Sequence, residues 1–180
     1  MRDSRICLQF AAFVTVLLVA CASTKFPVVW KDETYQGHPR KILVINSFPN
    51  PVNRKLLEDE LVKALKDRRV DAVASYNLMP GPAVSDKNAV AALAKEVGAD
   101  TVLINRATGT RTSESGGRGS SYTYEDLFIS TQTDVYDMTS KSLILSATAE
   151  TWIRQGEPYT SRLHSYVADL VNKLSQQGLF

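Results

Sequence analysis

The run Lys41-Ile42-Leu43-Val44-Ile45-Asn46-Ser47-Phe48, followed closely by Asn50-Pro51, decides the fold. An apolar stretch of this length without alternation predicts a strand covered on both faces. Asn is a good helix N-cap, and Pro is favoured at the first helical position. Beyond it Val52, Leu56, Leu57, Leu61, Ala64 and Leu65 recur at helical spacing, with Glu58, Asp59, Lys63 and Lys66 between them. That predicts an amphipathic helix to about Arg69, closed by basic residues as the helix dipole prefers. The acidic run Glu58-Asp59-Glu60 is expected on the solvated face of this helix.

Working outward, Asp71–Tyr76 reads as a second strand, and residues 77–85, with Pro80, Gly81 and Pro82, as a loop. Ser85 or Asp86 caps a second helix with Val90, Leu93, Ala94 and Val97 on its apolar face, and Gly98 stops it. Asp100–Ala107 is a third strand. Strand-helix-strand-helix-strand implies parallel strands with right-handed crossovers. Gly109–Ser121, rich in Gly and Ser, reads as a flexible surface loop. Two alternating runs follow, Leu127–Tyr136 and Leu143–Trp152, around the polar turn Thr139-Ser140-Lys141, which predicts an antiparallel hairpin. Tyr159–Gln177 is a last helix with Leu163, Val167, Leu170, Val171 and Leu174 on one face, ended by Gly178. The expected fold is α/β in the mixed α+β sense: β-α-β-α-β, then a hairpin and a C-terminal helix, with a five-stranded mixed sheet and three helices over residues 41–180.

The amino terminus reads as an address. Arg2 and Arg5 form a short basic segment, and Ile6–Ala20 is almost wholly apolar. About 20 apolar residues are needed to span a bilayer, so the run has signal-peptide length instead. It ends Leu18-Val19-Ala20-Cys21, which resembles the bacterial lipobox. Residues 1–20 are then a signal peptide, Cys21 is the lipidation site, carrying palmitate-like acyl chains, and residues 21–40 are a lipidated tether and lead-in, within which Phe26, Val28, Val29 and Trp30 are too apolar for a free linker and are expected to pack on the domain edge, a short strand being one form of that packing. Several acyl chains hold a protein on a membrane stably. Ala22 and Ser23 follow the cysteine, where an inner-membrane retention signal would place Asp, so the resemblance points to the outer membrane, facing the periplasm. The 180-residue chain has two cysteines. Cys7 leaves with the signal and Cys21 is acylated, so disulfides and thiol-ligated metals are excluded from the mature chain. Losing Arg2, Arg5 and Asp3 leaves 19 basic against 18 acidic side chains, too even a balance for a nucleic-acid binder working through bulk charge.

Phe26–Tyr35 (FPVVWKDETY), Asn50-Pro51 with Arg54 and Glu58-Asp59-Glu60, Ser75-Tyr76-Asn77-Leu78, and Gly98-Ala99-Asp100 together resemble a family of uncharacterised bacterial lipoproteins. The likeness runs along nearly the whole chain after Cys21. Arg69 departs from it, standing where Gly more often ends the first helix, and so does Ser140, standing where Gly is usual in the hairpin turn. In architecture the chain is similar to the TolB amino-terminal domain and to small lipoproteins of envelope assembly and polysaccharide export. The family carries no activity to transfer.

The chemistry-bearing residues are few. His38 and His164 are expected on the surface, and two histidines are too few for most catalytic metal sites. Asp134, Asp137 and Glu150 on the hairpin are expected to pair across strands. No cofactor and no catalytic residue is expected. Trp30 and Tyr35, beside Lys31, Asp32 and Glu33, make an interface-like cluster of aromatic and charged groups. Tyr122, Tyr124 and Phe128 form a second candidate patch. Two functional readings follow. One is a non-enzymatic envelope lipoprotein that docks on another envelope protein or on itself as a homo-oligomer. The alternative is a small-ligand or peptidoglycan-binding lipoprotein with its site at the carboxyl ends of the parallel strands, near Ser47, Ser75 and Asn105.

Overall fold

The computed structural model describes residues 24–79, 86–115 and 124–180. The signal segment, Cys21, Pro80–Pro82, Ser85 and Tyr122 lie outside the described residues. The chain order is β1 (Thr24–Lys31), β2 (Lys41–Asn46), α1 (Pro51–Asp67), β3 (Asp71–Ala74), α2 (Lys87–Glu96), β4 (Thr101–Ser115), β5 (Tyr124–Asp137), β6 (Ser142–Ile153) and α3 (Tyr159–Gln176). One mixed sheet runs β1-β6-β5-β4-β2-β3. Strands β2, β3 and β4 are parallel, and β4, β5, β6 and β1 are antiparallel neighbours. The mixed α+β architecture is as expected, with six strands in place of five. The sixth is β1, drawn from the lead-in segment. Its register slips between Lys25 and Val28 around Pro27, and a proline that cannot donate to a ladder belongs on such an edge.

Helices α1 and α3 cover one face of the sheet. Leu57, Leu61 and Leu65 of α1 and Leu170 and Leu174 of α3 are fully buried there with Ile42, Val44, Leu103 and Leu145. Each such leucine stabilises by about 1.5–3 kcal/mol through the apolar surface removed from water. Helix α2 covers the other face, centred on β2 and β4, where Leu43, Ile45, Val102 and Ile104 meet Val90, Leu93 and Ala94, with Val73 of β3 and Tyr136 of β5 at the margin. Strand β2 is therefore covered on both sides, as its unbroken apolar run requires. On β6 the residues Leu145, Ala147, Ala149 and Thr151 are buried and Ser146, Thr148, Glu150 and Trp152 only half-buried, so along this stretch its second face has no helix over it among the described residues; Ile144, beside the register shift, is buried as well.

All three helices end in the same way. The N–H two residues past the cap reaches back to the last turn: Val70 to Leu65 O, Ala99 to Ala94 O and Leu179 to Leu174 O. The residue between must take positive φ, and it is Arg69, Gly98 and Gly178 respectively. Gly is the low-strain choice, and Arg69 holds that conformation at φ 66. In the hairpin turn the strained position is Lys141, at φ 58, and not Ser140. Asn50 caps α1 and Asp86 caps α2, each accepting two backbone N–H groups.

Strand β4 corrects a second expectation. Gly109–Ser115, read as loop, continues the strand and pairs with β5 from Ser130 to Tyr124. Only Thr101–Asn105 of β4 has β2 beside it, so from Arg106 onward its outer edge pairs with no strand among the described residues.

Candidate functional site

At the carboxyl ends of β2 and β3 the acidic run of α1 departs from expectation. Glu58 is 0 % exposed and does not lie on a solvated face. The capped start of α1 seats it between the two strand ends. Its Oε1 accepts from the backbone N–H of Asn46 at 2.9 Å and from Arg54 Nε at 3.0 Å. Its Oε2 accepts from the N–H of Ser75 at 2.6 Å and of Tyr76 at 2.9 Å. Arg54, itself 5 % exposed, also donates from Nη2 to Ser75 Oγ at 2.9 Å, and that hydroxyl donates to the carboxylate. A buried carboxylate with this many donors, one of them the Arg54 cation, is held in place with its lone pairs fully engaged. Asp59 and Glu60 do face outward. Asp59 accepts from Lys55 at 2.8 Å, and this contact, with Tyr76, pushes the Lys55 amine up to about 12. Glu60 meets His164 Nδ1 at 2.8 Å and so ties α1 to α3, while His38 is exposed.

The strand ends offered as a ligand site are closed. Ser75 belongs to the Glu58 cluster. Asn105 is 0 % exposed and donates from Nδ2 to Thr133 Oγ1 at 2.7 Å and to Tyr166 Oη at 2.6 Å. Ser47 is half-buried, and its N–H bonds the Asn105 carbonyl at 2.9 Å. A hollow lined by Phe48, Tyr159, Leu163 and Tyr166 has a volume of about 30 Å³, water-sized and too small for a glycan. A shallow hollow of about 610 Å³ lies at the opposite end, bordered by Arg40, Lys95, Asp100 and Lys141. Burial raises the Asp100 pKa there, but the Arg40 side chain, the backbone N–H groups of Lys41 and Arg40 and the Thr101 hydroxyl together bring it below the ordinary carboxylate value.

The hairpin acids each have separate partners. Asp134 is bonded by Arg106, by Ser146 Oγ at 2.7 Å and by Gln132 Nε2 at 3.0 Å. Glu150 pairs with Arg111 at 2.9 Å, and Asp137 caps its own turn through the Ser140 N–H at 2.6 Å. Among the described residues no group of three or more His, Cys, Asp or Glu converges as a metal site.

The aromatic candidates separate. Trp30, 47 % exposed, and Val28, 59 % exposed, alternate along β1 on the face away from the helices. Tyr35 is half-buried against the helix-side core, and a Cβ on Gly37 would fall 2.6 Å from its hydroxyl, which explains the glycine there. Its pKa is raised by burial and by the Asp137 and Asp100 charges. Tyr124 opens β5 opposite Ser115. Phe128 of the second candidate patch sits on the uncovered face in a cluster whose other members the sequence reading missed: Arg111 stacks on Phe128 at 3.7 Å, and Arg154 on Trp152 at 4.7 Å. Phe128 and Trp152 are cross-strand partners. The sequence signal was an arginine near an aromatic at paired hairpin positions.

No family model matches the chain, and no curated protein does. Solved structures do share its fold. The PelC dodecamer from Paraburkholderia phytofirmans aligns with 84 % of this chain and 96 % of that one, at 13 % identity and a TM-score of 0.56. Lipoprotein GNA1162 from Neisseria meningitidis aligns with 77 % of this chain and 99 % of that one, at 18 % identity and a TM-score of 0.51. The fold is thus one found in a bacterial lipoprotein.

Proposed function

We propose that the chain is a non-enzymatic lipoprotein of the bacterial cell envelope, acylated on Cys21, held at the outer membrane and facing the periplasm, whose domain docks on further copies of itself. The apolar run ending in Ala20-Cys21 and the fold shared with a lipoprotein support the anchoring. The observation that carries the docking is the outer edge of β1. It has no neighbouring strand among the described residues, and it displays Val28 and Trp30, two of the large apolar side chains that are most open to water. Edge strands left open in this way pair with other chains, and aromatic anchors concentrate interface energy. The likeness to a protein crystallised as a dodecamer favours a closed homo-oligomer over a single foreign partner.

In-cell cross-linking of a tagged chain and native sizing of the detergent extract test this. A discrete assembly is expected, and Val28→Lys with Trp30→Lys is expected to reduce it to monomer while leaving the melting temperature within a few degrees. A wild-type monomer in both measurements overturns the docking reading.

A further inference from the structure

We propose that the paired outer ends of β4 and β5, Thr110–Ser115 beside Tyr124–Ile129, rest in the headgroup layer of the anchoring membrane, so that the domain stands with this end toward the lipid. The inference rests on the acylation of Cys21 proposed above and adds to it the face that meets the bilayer. It begins with how little chain lies between lipid and fold. Thr24, the first residue of β1, is 4 % exposed, and its hydroxyl lies 3.2 Å from that of Thr151. Its hydroxyl and backbone N–H also bond the Asp169 carboxylate on α3. Thr24 is therefore fixed to both sheet and helix. Only Ala22 and Ser23 separate it from Cys21, and three backbone steps span at most about 10 Å.

The register then measures the hairpin against that tether. Thr24 pairs with Thr151, Thr151 with Ile129, and Ile129 with Thr110, which makes one row across β1, β6, β5 and β4. Beyond that row β4 continues from Thr110 to Ser115, and β5 starts correspondingly early, at Tyr124. At about 3.4 Å per residue the paired strands run about 17 Å past the row. That exceeds the tether by about 7 Å. With the strands standing on the membrane, the hairpin meets lipid before the tether is taut.

Its chemistry fits headgroups and not hydrocarbon. Thr110, Thr112 and Ser113 are exposed hydroxyl side chains, and Arg111 lies over Phe128, a cation and an aromatic ring of the kind that settles at a membrane interface. Among the described residues the backbone groups along the outer edge of β4 beyond Arg106 bond no strand, a heavy cost in hydrocarbon and a small one among water and polar headgroups. This orientation leaves the β1 edge free for a second copy.

Depth measurement tests it. Ser113→Cys, Thr139→Cys and Val28→Cys are made one at a time in the full, host-matured chain, where acylation of Cys21 leaves the new thiol as the only one. Each is labelled with an environment-sensitive dye and reconstituted into vesicles of phosphatidylethanolamine with phosphatidylglycerol. The expected result is a blue shift and loss of quenching by a water-soluble quencher at position 113, with neither at position 139 in the far turn. A hairpin probe that stays in water on acylated, vesicle-bound protein overturns the inference alone. So does protection at position 28 in place of 113 that appears on vesicles and is absent from the same protein in detergent, where a second copy alone could shield it; that result means that the domain lies on its β1 edge. Intact mass without acyl chains on Cys21 overturns the anchoring reading and this inference with it.

Discussion

Replacing Glu58 with Ala removes the carboxylate bonded to the buried Arg54 guanidinium, and it also removes the acceptor for three backbone N–H groups, those of Asn46, Ser75 and Tyr76. Breaking a buried ion pair from one side costs about 3–5 kcal/mol. Each stranded N–H adds about 1–3 kcal/mol before relaxation and water entry offset part of it. A loss of at least about 4 kcal/mol is expected, a large share of the 5–15 kcal/mol that holds a typical domain together. In a domain of this size that lowers Tm by roughly 8–16 °C. Urea and thermal unfolding followed by circular dichroism measure it, with Asp59→Ala and Glu60→Ala in parallel. Those two carboxylates reach solvent, and about 0.5–1 kcal/mol is expected from each. The double variant Arg54→Met with Glu58→Leu removes both charges but leaves the three N–H donors without an acceptor, so partial recovery is expected. A Glu58→Ala protein within about 1 kcal/mol of wild type would place the carboxylate in water and refute the clamp.

Three further outcomes are expected. Arg69→Gly and Lys141→Gly each relieve positive φ and should raise the urea midpoint, by about 0.5–1 kcal/mol of stability apiece, against the usual loss for a Gly substitution. Asp100 has a folded pKa below its ordinary 3.8, so its contribution is complete above that value and is lost as pH falls through the lowered one. Asp100→Asn should therefore destabilise at neutral pH and flatten the acid limb of a stability-against-pH curve. Tyr166→Phe deletes a buried hydroxyl bonded to Asn105 at 2.6 Å and Thr131 at 3.0 Å, and a loss of about 1–2 kcal/mol in urea unfolding is expected.

The parts of the fold legible in the sequence were those that burial writes locally. The β2 run, the alternation of β5 and β6, and the stripe on α3 each carry their own period, and Asn50, Gly98 and Gly178 mark ends through backbone conformation alone. The distal half of β4 carries no such mark. Thr-Gly-Thr-Arg-Thr-Ser is wet on both sides, so no apolar alternation develops, and the strand exists because β5 lies beside it. Strand β1 was legible only as an apolar stretch at the domain edge and stayed out of the strand count, because Pro27 breaks the pattern at the edge position where a proline is tolerated.

Glu58 shows the same limit and also a signal that was present. Arg54, Leu57, Glu58, Leu61 and Leu65 fall at spacings of three, one, three and four, which is the core-facing stripe of a helix, and all five are buried. Two opposite charges at i and i+4 inside a leucine stripe describe a buried ion pair. The adjacent Asp59 and Glu60 hid it, because three acids in a row read as a surface. What no periodicity could supply is the reason that burial is tolerated. The donors that solvate Glu58 in place of water include the N–H groups of Ser75 and Tyr76, 17 and 18 residues further along the chain, which reach it only once β3 lies beside β2. The carboxylate is thus stable only in the finished fold, and the strand ends that it closes are the ones where an open α/β sheet would ordinarily receive a ligand. That closure is the physical argument for looking to the edges of the sheet, and not to its strand ends, for what this protein does.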